Sequence, residues 1–437
     1  MIEPSNTLTR GSLTWIKCAA LGVSIAVAGA FAGWNYGLGV GGWGGMIVAA
    51  LGTGLLFFCL TQCTAELAAA MPEHAGFDAY VGATLGPACG FLAGICVAFG
   101  LAVGTGLALT FTAAYTQGMM GVGGWPVKLT LLSIVMLLHM RGAKDAVGFT
   151  MLVGAIAVFV LLCFSITMFP HIRASNFLTP APGAGTLFPN GLLGVIQCVP
   201  FALFMFLGVE QAAQGAAEVN DPARSMPRAL LTAIGFSFVM GLIVLVVATG
   251  VTGAEALSKA DDPLLAAVQS QPAGSWQALL ARVVGLGALI SFLAAFFSLA
   301  YGASRQLHHL ASSGALPSWL AMTNSRGAPV TALAVVAAVG AITTAYPVTS
   351  AMVLFIFLLV VTYELLLLGF LRFQRQPRNM PRPYRALGGS VSGWLGAVLG
   401  LLAALSCYQL EIRALSVALI VLAVLLSYFV WSNRRAR

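Results

Sequence analysis

The chain has 437 residues, of which 59% are hydrophobic and 8% charged, and it carries a formal net charge of +8. A soluble domain carries about a quarter charged residues, so the composition excludes a soluble protein and identifies an integral membrane protein. The basic residues form no single face or arm, which excludes nucleic acid as a partner.

Residues 1–12 are a short polar lead. Apolar runs of about 20 residues place spans near 13–38, 44–70, 86–116, 126–140, 147–169, 190–219, 227–252, 278–312, 329–346, 348–373, 392–409 and 411–432. The expected fold class is therefore an all-α integral membrane protein with 12 transmembrane helices. With the N-terminus inside, only Lys128, Arg173, Lys259, Arg282 and Arg413 of the 21 Lys and Arg fall on the outer side. That bias predicts cytoplasmic N- and C-termini in a multi-pass cell-membrane protein, with a short tail at 433–437.

The first span contains S-I-A-V-A-G-A-F-A-G-W-N-Y-G-L-G-V-G-G-W-G-G (Ser24–Gly45). Glycine at this density predicts a helix that breaks at membrane depth. A break leaves backbone groups without partners, which lipid tolerates only where they line a cavity or meet a ligand. The sixth span contains P-F-A-L-F-M-F-L-G-V-E, where Gly208 is followed closely by the intramembrane carboxylate Glu210. These two spans lie about 180 residues apart, as an inverted repeat of five plus five helices requires. Residues 13–169 then form the first repeat, 190–373 the second, and 392–432 two further helices.

Where the two breaks meet, the pattern predicts a small-molecule substrate site made of Ala28, Gly29, Ala30, Phe31 and Gly33 with Phe204, Phe206, Leu207, Gly208 and Glu210. Half-helix N–H groups suit an anion, and unwound carbonyls suit an ammonium group. Glu210 is either a proton carrier or gate beside the substrate, or a fixed hydrogen bond to Gln214. Glu364 is the other carboxylate deep in a span, equally suited to a site or a structural role. Trp34 is an aromatic gate candidate beside the first break. Glu66, at the inner end of the second span, reads as a cap or loop contact.

No His, Cys and carboxylate constellation has metal spacing, and the eight cysteines include no C-x-x-C. G-V-G-G-W-G-G lacks the preceding strand and following Lys of a phosphate loop. Neither a cofactor nor an enzyme is expected. A channel would want a continuous polar ring, whereas the polar groups here concentrate at two breaks.

Several stretches carry a resemblance: A-E-L-A-A-A-M-P-E-H-A-G (Ala65–Gly76), V-G-A-T-L-G-P (Val81–Pro87), R-G-A-K-D (Arg141–Asp145), F-L-G-V-E (Phe206–Glu210), E-V-N-D-P-A-R-S-M-P-R-A-L (Glu218–Leu230), Y-G-A-S-R-Q-L (Tyr301–Leu307) and M-P-R-P-Y-R (Met380–Arg385). In this order the chain resembles the amino acid–polyamine–organocation permeases. The resemblance implies a LeuT-type fold with helices one and six discontinuous, and secondary active transport by alternating access. F-A-G-W-N-Y-G-L (Phe31–Leu38) looks most like the ethanolamine-permease branch, although Ala28 and Ala30 stand where that branch has a serine and an acidic residue.

The fold also implies that Ser298 occupies the place of a sodium ligand or a proton-coupled substitute, a back-bonded hydroxyl being the alternative. Residues 147–169 hold no lysine to stand in for sodium. Proton coupling through Glu210, sodium coupling and plain exchange stay open, as does oligomeric state. The uncharged lining of the first break favours a small amino acid as substrate, with ethanolamine or a related amine as the alternative.

Overall fold

The computed structural model describes residues 14–72, 76–141, 146–179, 185–209, 212, 219, 221–375 and 382–435. Among them lie α1 (Trp15–Ala26), α2 (Tyr36–Ala70), α3 (Phe77–Leu85), α4 (Pro87–Met120), α5 (Gly124–Arg141), α6 (Ala146–Met168), α7 (Gly191–Phe204) and α8 (Pro222–Thr252). There follow α9 (Ala254–Ser258), α10 (Pro263–Gln269), α11 (Ser275–Ser312), α12 (Val330–Thr343), α13 (Val348–Arg375), α14 (Ser390–Leu410) and α15 (Ile412–Arg435). By length and composition, eight helical stretches are able to cross a membrane, and three shorter apolar ones accompany them, Trp15–Ala30, Gly191–Phe204 and Val330–Thr343. The lead at 1–12 and Glu210 lie outside the described residues.

Local chemistry sets the helix ends. Gly86, at φ 106°, precedes Pro87 as the first residue of α4, where proline's missing N–H costs nothing. Gly121, left-handed at φ 69°, closes the same helix. Asp221 caps α8 by accepting from the Arg224 N–H at 3.3 Å, with Pro222 next to it.

The connectors hold more structure than their polarity suggests. Residues 71–85, which lie between two of the expected spans, contain α3, which buries Tyr80, Val81 and Thr84 on one face at helical spacing. The connector 252–275 folds as a hairpin of two short helices, α9 and α10, with Leu257, Leu264, Leu265 and Val268 buried. Apolar burial in each exceeds what a solvated loop would show.

The glycine run 37–45 also differs from expectation. Only Gly42, at φ 66°, leaves helical geometry, and it bends α2 instead of ending it. A Cβ at Gly41 would collide with Cys198 and the Gly194 backbone, and one at Gly44 would come within 2.8 Å of the Leu187 carbonyl. The Gly44 N–H donates to that carbonyl at 2.8 Å. These glycines are missing side chains where 187–198 presses in, a packing role and not a cavity.

α4 runs through the centre, packed against α11, α13, α12 and α3, while α2 packs against α7 and α8. α15 lies at the periphery, with Val417, Ile420 and Val424 exposed as a lipid-facing belt.

At the C-terminal end of α2, Glu66 is a loop contact. It is buried and accepts from the Ala386 N–H and from Gln374 Nε2, each at 2.8 Å, with Arg382 3.9 Å away. Arg382 in turn donates to the Phe373 carbonyl at 2.7 Å and lies over the Phe373 ring. Removing the carboxylate strands a buried N–H and a guanidinium together. Glu66→Ala is expected to cost about 3 kcal/mol and Glu66→Gln less, measured as the unfolding midpoint of the purified protein.

Candidate functional site: the crossing of two interrupted helices

α1 ends at Ala26 and tightens into a 3-10 turn over Val27–Ala30, and the chain then turns through Phe31–Asn35 before α2 begins. Gly33, at φ 101°, adopts a left-handed conformation that side-chain-bearing residues avoid. On the other segment α7 stops at Phe204, residues 205–208 form turns, and Gly208 sits at φ 103°.

The two interruptions touch. A Cβ at Gly29 would overlap the Phe204 carbonyl oxygen. One at Gly208 would overlap Ile25, and one at Gly22 would lie 2.8 Å from the Val209 carbonyl. As residue number rises from 22 to 29 on one strand, it falls from 209 to 204 on the other. The segments therefore cross antiparallel with backbones in contact. Gly29 is spent on that contact, so the space expected there for a ligand is already filled by backbone. A Cβ at Gly33 would lie 2.7 Å from the Phe204 ring and 3.0 Å from Met352 of α13.

Side chains from three further helices, α4, α11 and α13, close over the crossing. Phe31 meets Phe292 edge-on at 6.4 Å between ring centroids, and Phe111 stacks on Phe292 at 5.3 Å. Phe204 packs against Phe111 at 5.9 Å and Phe355 at 6.1 Å. The Tyr115 hydroxyl donates to the Phe31 carbonyl at 2.7 Å, and the Trp34 indole N–H donates to the Ala30 carbonyl at 3.0 Å. Both carbonyls are left over by the interruption, and both rings are fully buried. Phe111, Tyr115, Phe292 and Phe355 were not singled out from the sequence. The only available signal was the i,i+4 spacing of Phe111 and Tyr115 among small residues.

Asn35 was also missed. Its side-chain oxygen accepts from the Gly33 N–H at 3.0 Å, and its amide nitrogen donates to the carbonyls of Leu257 at 2.8 Å and Ala260 at 2.7 Å. One buried amide thus ties the first interruption to the α9–α10 hairpin. Beside it, the Tyr36 hydroxyl donates to Asp261 Oδ1 at 2.6 Å. Several of the amides offered to an anion on sequence grounds are committed in this conformation. Gly33 is held by Asn35, and Gly37 and Leu38 donate to Trp34 and Asn35 carbonyls.

The other expected residues divide, some within the crossing and some away from it. Ala28 and Ala30 are buried in it. Phe206 turns the other way, toward Phe57 and Phe238, and Leu207 is half-buried. Ser298 is half-buried on α11. Glu364 lies 12 residues after Met352 on α13, about 18 Å along the axis, and its carboxylate abuts Gly400 of α14. The structure does not bring it to the breaks. Among the described residues no cluster of His, Cys, Asp and Glu is suited to a metal.

Residues 17–373 match the family described as amino acid permease. The amino-acid permease RocC of Bacillus subtilis (strain 168) is 26% identical over 83% of this chain and 79% of its own. An uncharacterised transporter of Rhizobium meliloti (strain 1021) is 26% identical over 69% of this chain, which spans just 65% of that relative's length. A methylthioribose transporter of B. subtilis is 23% identical over 62% of this chain and 60% of its own.

Two outcomes follow from the geometry. Gly29→Ala is expected to lower stability by about 1–3 kcal/mol through overpacking, whereas Gly52→Ala, with nothing within 4 Å of its Cβ, is neutral or stabilising. Thermal unfolding of both purified variants compares them directly. The second concerns the hairpin carboxyl Asp262, which burial, helped by the Asp261 charge, raises from 3.8 to about 6. Its folded form therefore prefers to be protonated. The penalty for charging it is absent below about 4 and complete above about 6, so stability falls as pH rises through that window. Asp262→Asn is expected to flatten this dependence in unfolding scans between pH 4 and 7.

Proposed function

The chain belongs to the amino acid permease family, and from that premise we propose that it moves a small neutral amino acid across the membrane by alternating access. The family makes it a multi-pass membrane permease and not an enzyme. The antiparallel crossing of the two interrupted segments carries the proposal. Discontinuous helices meeting at one depth are where secondary transporters hold substrate, and here they meet under seven aromatic side chains. We take the full architecture to be 12 spans in a LeuT-type five-plus-five inverted repeat with two further helices, and both termini cytoplasmic.

The chemistry of the crossing favours a zwitterion with a modest side chain. Ala28, Gly29 and Ala30 contribute backbone and methyl groups only. Phe31, Phe111, Phe204 and Phe292 leave no charged partner for a long cationic side chain among the described residues. The positive end of the helix restarting at Tyr36 suits a carboxylate once its amides are released. We assign the ammonium to unwound carbonyls near Phe206–Gly208. Glu210 follows the second interruption in sequence, and we assign it the coupling or gating role, with Trp34 and Ser298 beside the path. The driving ion is a proton, sodium, or a counter-transported substrate.

Proteoliposomes loaded with the purified protein test this. L-Alanine is expected to accumulate under an imposed proton or sodium gradient, or to exchange against internal alanine, while its methyl ester and ethylamine compete at least about tenfold more weakly. Ethanolamine or ethylamine competing as well as alanine overturns the carboxylate reading and makes the protein an amine permease.

A further inference from the structure

We infer that Asn35 is a positioning residue that makes the shape of the first interruption conditional on the seating of the α9–α10 hairpin. The inference rests on the transporter reading above and concerns how that site is gated. Asn35 is fully buried, and its two ends bond to different bodies. The side-chain oxygen holds the Gly33 N–H, inside the interruption. The nitrogen donates both its hydrogens to Leu257 and Ala260, which lie 222 and 225 residues away on the hairpin.

An amide is suited to such a tie because it is acceptor and donor at once, in a fixed plane. While the hairpin is seated, both donors are satisfied and the oxygen is aimed at Gly33. When the hairpin lifts, two carbonyl acceptors leave together. A buried NH₂ without partners is costly, so the side chain turns to follow water or the departing carbonyls, and its oxygen lets go of Gly33. Gly33, at φ 101°, then presents a free N–H at the interruption. That N–H is the donor a substrate carboxylate needs, and it becomes available when the hairpin opens the path. Reseating the hairpin reverses the exchange.

Few polar bonds fasten the hairpin beside its apolar seat, in which Leu257, Leu264, Leu265 and Val268 are buried. Tyr36 adds the hydroxyl bond to Asp261, and Ser258 packs on Gly39. Lys259 bonds within the hairpin, to Glu255 at 2.8 Å. Asn35 bonds directly from the hairpin to Gly33, and Tyr115, which donates to the Phe31 carbonyl, also hydrogen-bonds the Leu264 backbone of α10.

Amide hydrogen exchange on the full-length protein in lipid nanodiscs tests the tie without any substrate. Asn35→Asp keeps the acceptor for Gly33 but replaces the donors with an oxygen facing two carbonyls. It should speed exchange in Ala254–Gln269 by about tenfold or more and leave residues 31–36 near the wild-type rate. Asn35→Ala should loosen both. Unchanged hairpin exchange in Asn35→Asp, or equal loosening of the remote helix Ser390–Leu410, would overturn the inference by making Asn35 a general packing residue.

Wild-type protein supplies a measurement that no folding defect affects. Linked opening requires the Gly33 amide to exchange with the protection and temperature dependence of the hairpin amides, and a Gly33 amide about tenfold slower sinks the proposal. L-Alanine uptake adds the functional arm. For Asn35→Asp, kcat should fall about tenfold with KM changed less than about threefold, whereas equal loss in both parameters, or none, counts against gating. Wild-type protein that ignores alanine refutes the substrate proposal alone, because the exchange arms still decide the role of Asn35.

Discussion

The structure depends on a constraint of backbone chemistry. In an apolar medium every N–H and C=O requires a partner, and an interrupted helix gives several up at once. Here two interruptions are laid against each other so closely that Gly29 and the Phe204 carbonyl leave no room for a Cβ. That contact fixes the depth of both breaks relative to each other. It also explains why α1 and α7 end where they do. A side chain at 22, 29 or 208 would push the segments apart and expose the carbonyls that the crossing covers.

Side chains then complete what the backbones cannot. Tyr115 reaches from α4 to the Phe31 carbonyl, Trp34 folds back on Ala30, and Asn35 takes the Gly33 N–H. Each is a large or polar group held in a single orientation by packing. The aromatic bodies of Tyr115 and Trp34 exclude water while their polar tips replace it. The same arrangement serves a transport site, because each of these bonds is made to a group that a zwitterionic substrate could take over. A site whose polar groups are satisfied without ligand is able to close empty.

Much of this was legible in the sequence, and the limits have physical causes. Gly29, Gly33 and Gly208 stood out because glycine in an apolar span has few explanations, and the described residues turn at Gly33 and Gly208. The purpose of Gly29 was not legible, since a glycine that admits a ligand and one that admits a backbone read alike. Asn35 lay within the quoted stretch and passed as a neighbour of the break, because both its hairpin partners are carbonyls more than 220 residues away. Glu364 was read from chemistry alone. Its type fits a site, but its position on α13 puts it beside Gly400 and well away from Met352. The connectors 71–85 and 252–275 hid helices because short amphipathic segments carry as many polar residues as loops do.

The two ends of α2 are held by bonds of different strength, and the difference bears on which end opens. At Ala70 the fastening is Glu66, a buried acidic side chain with a backbone N–H, an amide and Arg382 around it. Hydrogen bonds to a charged group contribute about 2 kcal/mol each. At Tyr36 the fastening is Asn35, whose neutral amide bonds contribute about 1 kcal/mol each, with a partly exposed Tyr36–Asp261 bond beside it. Breaking the first set leaves an acidic group and a guanidinium stranded in an apolar wall. Breaking the second leaves one amide, which water reaches as the hairpin lifts. In polar bonds the hairpin end is the weaker fastening, and its release delivers Gly33 to an incoming carboxylate, while the buried Leu257, Leu264, Leu265 and Val268 set the apolar part of the cost.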